Sequence, residues 1–270
     1  MTTALDATPM TKNAGWIETF ARIGYAAKGV VYSIIGVLAV QMATGSGSQR
    51  SGPKAAFEEM TTKPFGEVLL VLVGLGLACY AIWRLVLAFV DPEHPADDAK
   101  GIIWRIGHAV SGLTNLAVGV LAFMIVFGSD GGSGKSMTAG LMAKPYGPWL
   151  FGFVGLIVVG VGLYHFYRAW SSRFMEKYNT GEMSATQITW AKRIGWVGLC
   201  ARGVAFLLIG GFLIRAALQG DSSEAGGLGK AFETLLNQPY GPWLLGLVAV
   251  GFVCYGIYCF SYARYRHFKV

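Results

Sequence analysis

The sequence predicts an all-α polytopic membrane protein, with six transmembrane helices arranged as three parallel helical-hairpin repeats around a pseudo-threefold axis. Three observations carry this expectation. Charged residues make up 14% of the 270 positions and apolar ones 54%, whereas a soluble domain needs about 25% charged residues to cover its water-facing surface. Six apolar runs are each long enough to cross a hydrocarbon core, which takes roughly 20 helical residues. One helix–loop–helix pattern recurs three times along the chain. The same composition excludes a disordered chain, and the 38 glycines scattered through apolar runs suit close-packed membrane helices.

The runs are Gly24 to Ala43, Gly66 to Val90, Ile106 to Phe127, Gly147 to Ala169, Ile194 to Ala217 and Gly241 to Tyr262. No Asp or Glu lies well inside any of them; Glu67 sits at a mouth. The first fifteen residues are polar and lack an apolar core of their own, so no cleaved signal peptide is expected and the first helix serves as the targeting signal. The chain divides into a polar tail (1–15), repeat 1 (16–95), repeat 2 (96–180) and repeat 3 with a short basic C-terminal tail (181–270). Of the 22 Lys and Arg, seven fall on the side opposite the N-terminus: Arg50, Lys54, Lys63, Lys135, Lys144, Arg215 and Lys230. The other fifteen share the N-terminal side, and the positive-inside rule then expects both termini in the cytoplasm of a multi-pass inner or plasma membrane protein. The eight Trp all fall near span ends, as an interfacial belt would. A net charge of +7 is explained by basic cytoplasmic loops and calls for no nucleic-acid partner.

The repeat is legible residue by residue. The odd-numbered spans carry Gly24, Gly29 and Gly36, then Gly107, Gly112 and Gly119, then Gly198, Gly203 and Gly210, with steps of five and seven each time. Each even span opens on one phrase: Lys63-Pro64-Phe65-Gly66, Lys144-Pro145-Tyr146-Gly147 and Gln238-Pro239-Tyr240-Gly241. A short helix-compatible stretch precedes each phrase, clearest at Lys230 to Leu236, and reads as an amphipathic helix on the outer membrane face. Pro64, Pro145 and Pro239 end those stretches and mark the repeat turns. Two helices per copy insert every copy in the same orientation, the arrangement of parallel repeats about an axis along the membrane normal.

Three tandem two-helix units with these glycine and Pro-aromatic-Gly signatures resemble the bacterial domain-of-unknown-function 1206 family, over about residues 16 to 265. The resemblance implies six membrane helices and a membrane address, and brings no activity with it.

Candidate sites follow from the cost of placing charge in a membrane. Lys28 and Arg202 occupy one repeat position, directly before the second glycine of the pattern, and Ser111 holds it in repeat 2. Three odd helices around one axis would gather them into a partial basic ring able to bind an anion or a lipid headgroup. The competing reading is snorkelling, with the stem in lipid and the charge at the interface. Arg84, His165 and Arg168, near the ends of even spans, are weaker candidates for the same site, since they also complement negative helix C-termini. The glycine rows are expected to serve helix packing ahead of lining a path. Ser129 to Ser136 imitates a phosphate-binding loop but opens on Ser, follows no strand and falls on the outer side, so nucleotide binding is not expected. Cys79, Cys200, Cys254 and Cys259 lie within spans without metal-ligand spacing, and no paired His, Ser/His/Asp set or paired carboxylates appear.

The sequence therefore predicts no enzyme, no cofactor and no metal. It points to passive passage or binding of a small solute or anion along the repeat axis. The alternative is a non-transporting scaffold that binds anionic lipid or a membrane partner protein. A continuous polar path along the axis favours the first, and a dry axis the second.

Overall fold

The computed structural model describes residues 14–46, 52–90, 99–128 and 139–266. Among them the structure is helical, with six helices long and apolar enough to cross a membrane. In chain order the helices are α1 (Ala14–Thr44), α2 (Pro53–Thr61), α3 (Gly66–Val90), α4 (Ala99–Val126), α5 (Gly147–Trp170), α6 (Ala185–Gln219), α7 (Leu228–Leu236) and α8 (Gly241–Tyr265), with a single helical turn at 139–142 before α5. Spans α1, α3, α4, α5, α6 and α8 thus fall on the six expected runs. The odd-numbered runs extend beyond expectation at the end nearest the chain termini. On α6 the extension is fixed by a capping box: Ser184 accepts from the Gln187 amide while the Gln187 side chain accepts from the Ser184 amide. The phosphate-loop imitation, Ser129 to Ser136, lies outside the described residues.

With no water to expel inside a bilayer, helices associate through close packing, and glycine decides where that happens. The most extensive contacts join each repeat's second span to the first span of the next: α3 to α4, α5 to α6, and α8 back to α1. The same glycine faces the same residue position at all three joints. A Cβ on Gly29, Gly112 or Gly203 would lie 2.9, 3.0 and 2.7 Å from Phe260, Leu85 and Phe166, each twenty-one residues beyond its own repeat's proline. A Cβ on Gly36, Gly119 or Gly210 would lie 2.9, 3.2 and 2.9 Å from the carbonyls of Ala249, Gly74 and Gly155, each ten residues beyond its proline. The joint from repeat 3 to repeat 1 is also tied at its end. Arg22 Nη1 donates to the Ala263 and Arg264 carbonyls at 2.6 and 2.7 Å, capping the last turn of α8, and pairs with Glu18.

Within a repeat the three copies differ. Gly24 packs on Tyr80 where α1 meets α3, and Gly198 packs on Tyr255 where α6 meets α8. Gly107, the third glycine of that set, has nothing within 4 Å of its Cβ position, and α4 and α5 do not form a comparable interface. The expectation that Gly107 packs a helix is therefore corrected. Its counterpart on α5 is Val161, which is exposed, and one turn away Val110 and Ile157 are exposed as well. At those two positions the other repeats hold Ala27 against Gly76 and Ala201 against Gly251. Two β-branched side chains stand where a small pair would let the backbones meet.

At the loop side, opposite the chain termini, the Pro-aromatic-Gly phrases form tight turns, with Gly66, Gly147 and Gly241 donating to the carbonyls of Lys63, Lys144 and Gln238 at 2.9, 2.8 and 2.7 Å. A side chain at any of these glycines would strike a carbonyl of the preceding short helix, that of Met60, Leu141 or Leu236, so only glycine lets the span start so close. The short helices α2 and α7 bury Phe57, Met60 and Phe232 against the spans. One apolar cluster there joins Val31, Ile35, Leu38, Leu70, Val73, Leu77, Leu245 and Phe252 to those three.

Candidate functional site

The opposite half of the bundle, nearer the chain termini, is built differently. On α1 the sequence sets Tyr25, Lys28 and Tyr32 one turn apart on a single stripe. On α3 it sets Tyr80, Trp83, Arg84 and Leu87, and on α8 Tyr255, Tyr258, Cys259 and Tyr262, at identical steps. These stripes meet. Tyr25 stacks edge-on against Tyr80 and Tyr262 at 5.2 and 5.0 Å, and Tyr32 against Tyr255 at 4.8 Å. The aromatic wall so formed receives the basic side chains.

Lys28 is buried with its ammonium 4.2 Å from the centre of the Tyr80 ring. Its ammonium rests on a ring of the neighbouring span, among buried side chains. Arg202 lies among the rings of Tyr255, Phe206 and Tyr32, at 4.7, 5.1 and 5.2 Å, and donates to the Tyr255 hydroxyl. Arg84 donates through Nε to the Tyr80 hydroxyl at 3.0 Å and through Nη1 to His108 Nδ1 at 2.5 Å, an arrangement that requires an unprotonated His108 Nδ1. Arg168 donates to the hydroxyls of Tyr258 and Tyr262 at 3.2 and 3.3 Å. Arg266, just past α8, donates to the Tyr25 hydroxyl at 2.5 Å and lies over Trp83 at 4.8 Å. Outside the spans, burial pushes the Tyr178 hydroxyl above its ordinary range where its ring packs on Tyr262.

Ring contacts link these groups. Tyr80 meets both Lys28 and Arg84, Arg202 and His165 both lie against Phe206, and Tyr258 and Tyr262, which accept from Arg168, pack on Tyr255 and Tyr25. Five of the six sequence candidates therefore border one connected set of aromatic rings. Ser111 stands apart: it is half-buried on α4, its carbonyl accepts from Asn115 Nδ2 at 2.7 Å, and its hydroxyl enters none of these contacts.

Among the described residues, the hydrogen bonds and ring contacts of Lys28, Arg84, Arg168 and Arg202 go to tyrosine hydroxyls, a histidine and aromatic faces, and none goes to a carboxylate. A cation over an aromatic face recovers about 2 kcal/mol when desolvated, while burying an ion costs several kcal/mol even after the protein relaxes. Arg202 Nε and His165 Nδ1 are buried without a hydrogen-bond partner. The cluster concentrates positive charge, and a guanidinium fork has the geometry that matches phosphate or carboxylate oxygens.

Sequence reasoning missed the tyrosines, His108 and Arg266. The available signal was register: Tyr80 and Tyr255 both stand sixteen residues beyond their prolines, and Arg84 and His165 both twenty. Trp83 is a correction. Expected in an interfacial belt, it is buried between Tyr25 and Tyr80, whereas Trp149, Trp170 and Trp243 are exposed near span ends. The cysteines are free, Cys259 buried and the others half-buried, and no metal-ligand group of three occurs among the described residues.

No solved structure matches the chain. An uncharacterized protein of Bacillus subtilis (strain 168), YxxB, is 33% identical over 254 residues, covering 93% of this chain and 92% of that protein. The model of the Domain of Unknown Function (DUF1206) matches three times, at residues 23–91, 106–172 and 197–266, one match for each helical hairpin, and the chain belongs to that family.

Proposed function

We propose that this is a non-enzymatic membrane protein that binds an anionic group, phosphate or carboxylate, at the end of the pseudo-threefold repeat axis nearer the chain termini. The observation that carries the reading is that Lys28, Arg84, Arg168, Arg202 and His165 border one connected set of aromatic rings, with none of their hydrogen bonds or ring contacts going to a carboxylate. The apolar cluster that fills the loop-side half favours binding over free passage through the bundle. On the positive-inside rule the site lies toward the cytoplasmic face of the plasma membrane, the side that holds cytoplasmic anions and the anionic lipid leaflet.

The test pairs Lys28→Met with Arg202→Met. Wild-type protein is expected to bind inorganic phosphate or retain anionic lipid in native mass spectrometry, and the double variant to lose at least tenfold in that binding, more than either single change. Anion flux in proteoliposomes is expected to be absent from both. Sustained wild-type flux abolished by the double variant would replace binding by conduction. Equal binding in wild type and double variant would overturn the site.

The orientation has its own measurement. Cysteine at Ser223, on the loop side, is expected to react with an impermeant thiol reagent in intact cells, and cysteine at Ser171 is not. The reverse pattern would turn the site to the outside.

A further inference from the structure

The interface missing from repeat 2 leads to the basic cluster. On α5, Ile157, Val161, His165 and Arg168 follow one another at steps of four, four and three, which places them on one face. The first two are exposed to the bilayer, whereas His165 is only 8% exposed, stacked on Phe206 of α6 at 5.4 Å. On α4, Gly107, with open space at its Cβ position, and exposed Val110 occupy the positions that in repeats 1 and 3 meet the second span. One continuous strip therefore runs from apolar side chains at acyl-chain depth to His165 and Arg168 at the end nearer the chain termini. Both spans are the least buried of the six, at 17% for α4 and 22% for α5, against 33% for α6 and 44–56% for the others.

We propose that the space between α4 and α5 is a lateral entrance for an anionic phospholipid, whose phosphate reaches His165, Arg168 and Arg202 while an acyl chain lies against Gly107, Val110, Ile157 and Val161. This rests on the anion-binding reading above and names the source of the anion. Charge decides the occupant. The strip ends on bases whose contacts include no carboxylate, and His165 Nδ1 is buried there without a partner. A second copy paired through these same two helices would bring no counter-charge, because no Asp or Glu lies within α4 or α5. A phospholipid supplies both halves, an anion at headgroup level and hydrocarbon below it.

Gly107→Leu fills the entrance without meeting a neighbour. Delipidated protein is reloaded with phosphatidylglycerol or phosphatidylcholine and examined by native mass spectrometry, alongside binding of inorganic phosphate and thermal unfolding. Wild type is expected to retain phosphatidylglycerol at least tenfold over phosphatidylcholine. Gly107→Leu is expected to lower that retention at least fivefold with an unchanged Tm and undiminished phosphate binding; Val161→Phe, on the facing helix, is expected to act in the same direction. Undiminished phosphatidylglycerol in both variants would overturn the entrance while leaving the anion site standing. Phosphate bound by wild type without lipid preference would overturn the lipid and keep a free ion as ligand. A lipid-free dimer disrupted by Gly107→Leu would assign the strip to a second copy. If neither phosphate nor lipid binds wild type, the anion-binding reading falls and this one with it.

Discussion

The α1–α3 interface and the space between α4 and α5 start from one repeat pattern and end differently. Both odd spans keep the first glycine of the triplet, Gly24 and Gly107. In repeat 1 that glycine meets Tyr80, and one turn further Ala27 meets Gly76, so the helices close. In repeat 2 the corresponding residues are Val161, Val110 and Ile157, and they stay apart. A glycine on one helix thus permits contact without compelling it; the partner has to be small or flat as well. Helix packing in a bilayer gains nothing from hiding apolar surface, because lipid tails are as apolar as the neighbouring helix. Val110 and Ile157 therefore lose nothing by facing lipid, and the hairpin stays open. The three joints between repeats keep their small positions and close in all three copies.

Leucine at the glycines gives the largest test of this contrast. Gly24→Leu and Gly198→Leu drive a side chain into Tyr80 and Tyr255, and overfilling a tight contact costs about 1–3 kcal/mol. Leucine at Gly29, Gly112 or Gly203 is expected to cost as much at the joints between repeats, where Phe260, Leu85 and Phe166 fill the space. Gly107→Leu meets open space, and replacing glycine inside a helix recovers about 1 kcal/mol of propensity. Thermal unfolding in detergent should therefore show five destabilised variants and one unchanged or slightly stabilised. A fall at Gly107→Leu matching that at Gly24→Leu would mean that α4 and α5 are closed.

The spans and the repeat were legible because a bilayer admits few structures: a chain crossing it must satisfy its own backbone, so long apolar helices stand out. Gly66 to Val90 was even bounded correctly, since the Pro-aromatic-Gly turn starts it. The candidate site was half legible. Lys28 and Arg202 stood out as charges in apolar runs, yet nothing local distinguished a snorkelling lysine from one laid on Tyr80, because that depends on a ring fifty-two residues away. Trp83 misled for the reverse reason. Its place near a span end suits an interfacial belt, and only the stripe it shares with Tyr80 and Leu87 marks it as facing inward. The open side of repeat 2 could be read from Val110 and Ile157 only once the contacts of Ala27 with Gly76 and of Ala201 with Gly251 were in view.

The smallest expected effect isolates that last pair. Val110→Ala with Ile157→Gly writes into repeat 2 the small residues that close repeats 1 and 3. Alone, Val110→Ala removes lipid-facing methyl groups and should leave stability nearly unchanged. Ile157→Gly alone should cost a few tenths of a kcal/mol, up to about 1, in helix propensity. Together they allow α4 and α5 to approach, so the double variant should be more stable than the sum of the singles by about 0.5–1 kcal/mol, the low end of couplings between touching residues. The cycle is measured by thermal unfolding in detergent, with phosphatidylglycerol retention as a second readout that closure should lower. Strict additivity with undiminished lipid would show that something other than these two side chains holds the helices apart, and the bulk of Val161, where Tyr80 and Tyr255 stand in the other repeats, would be the next position to change.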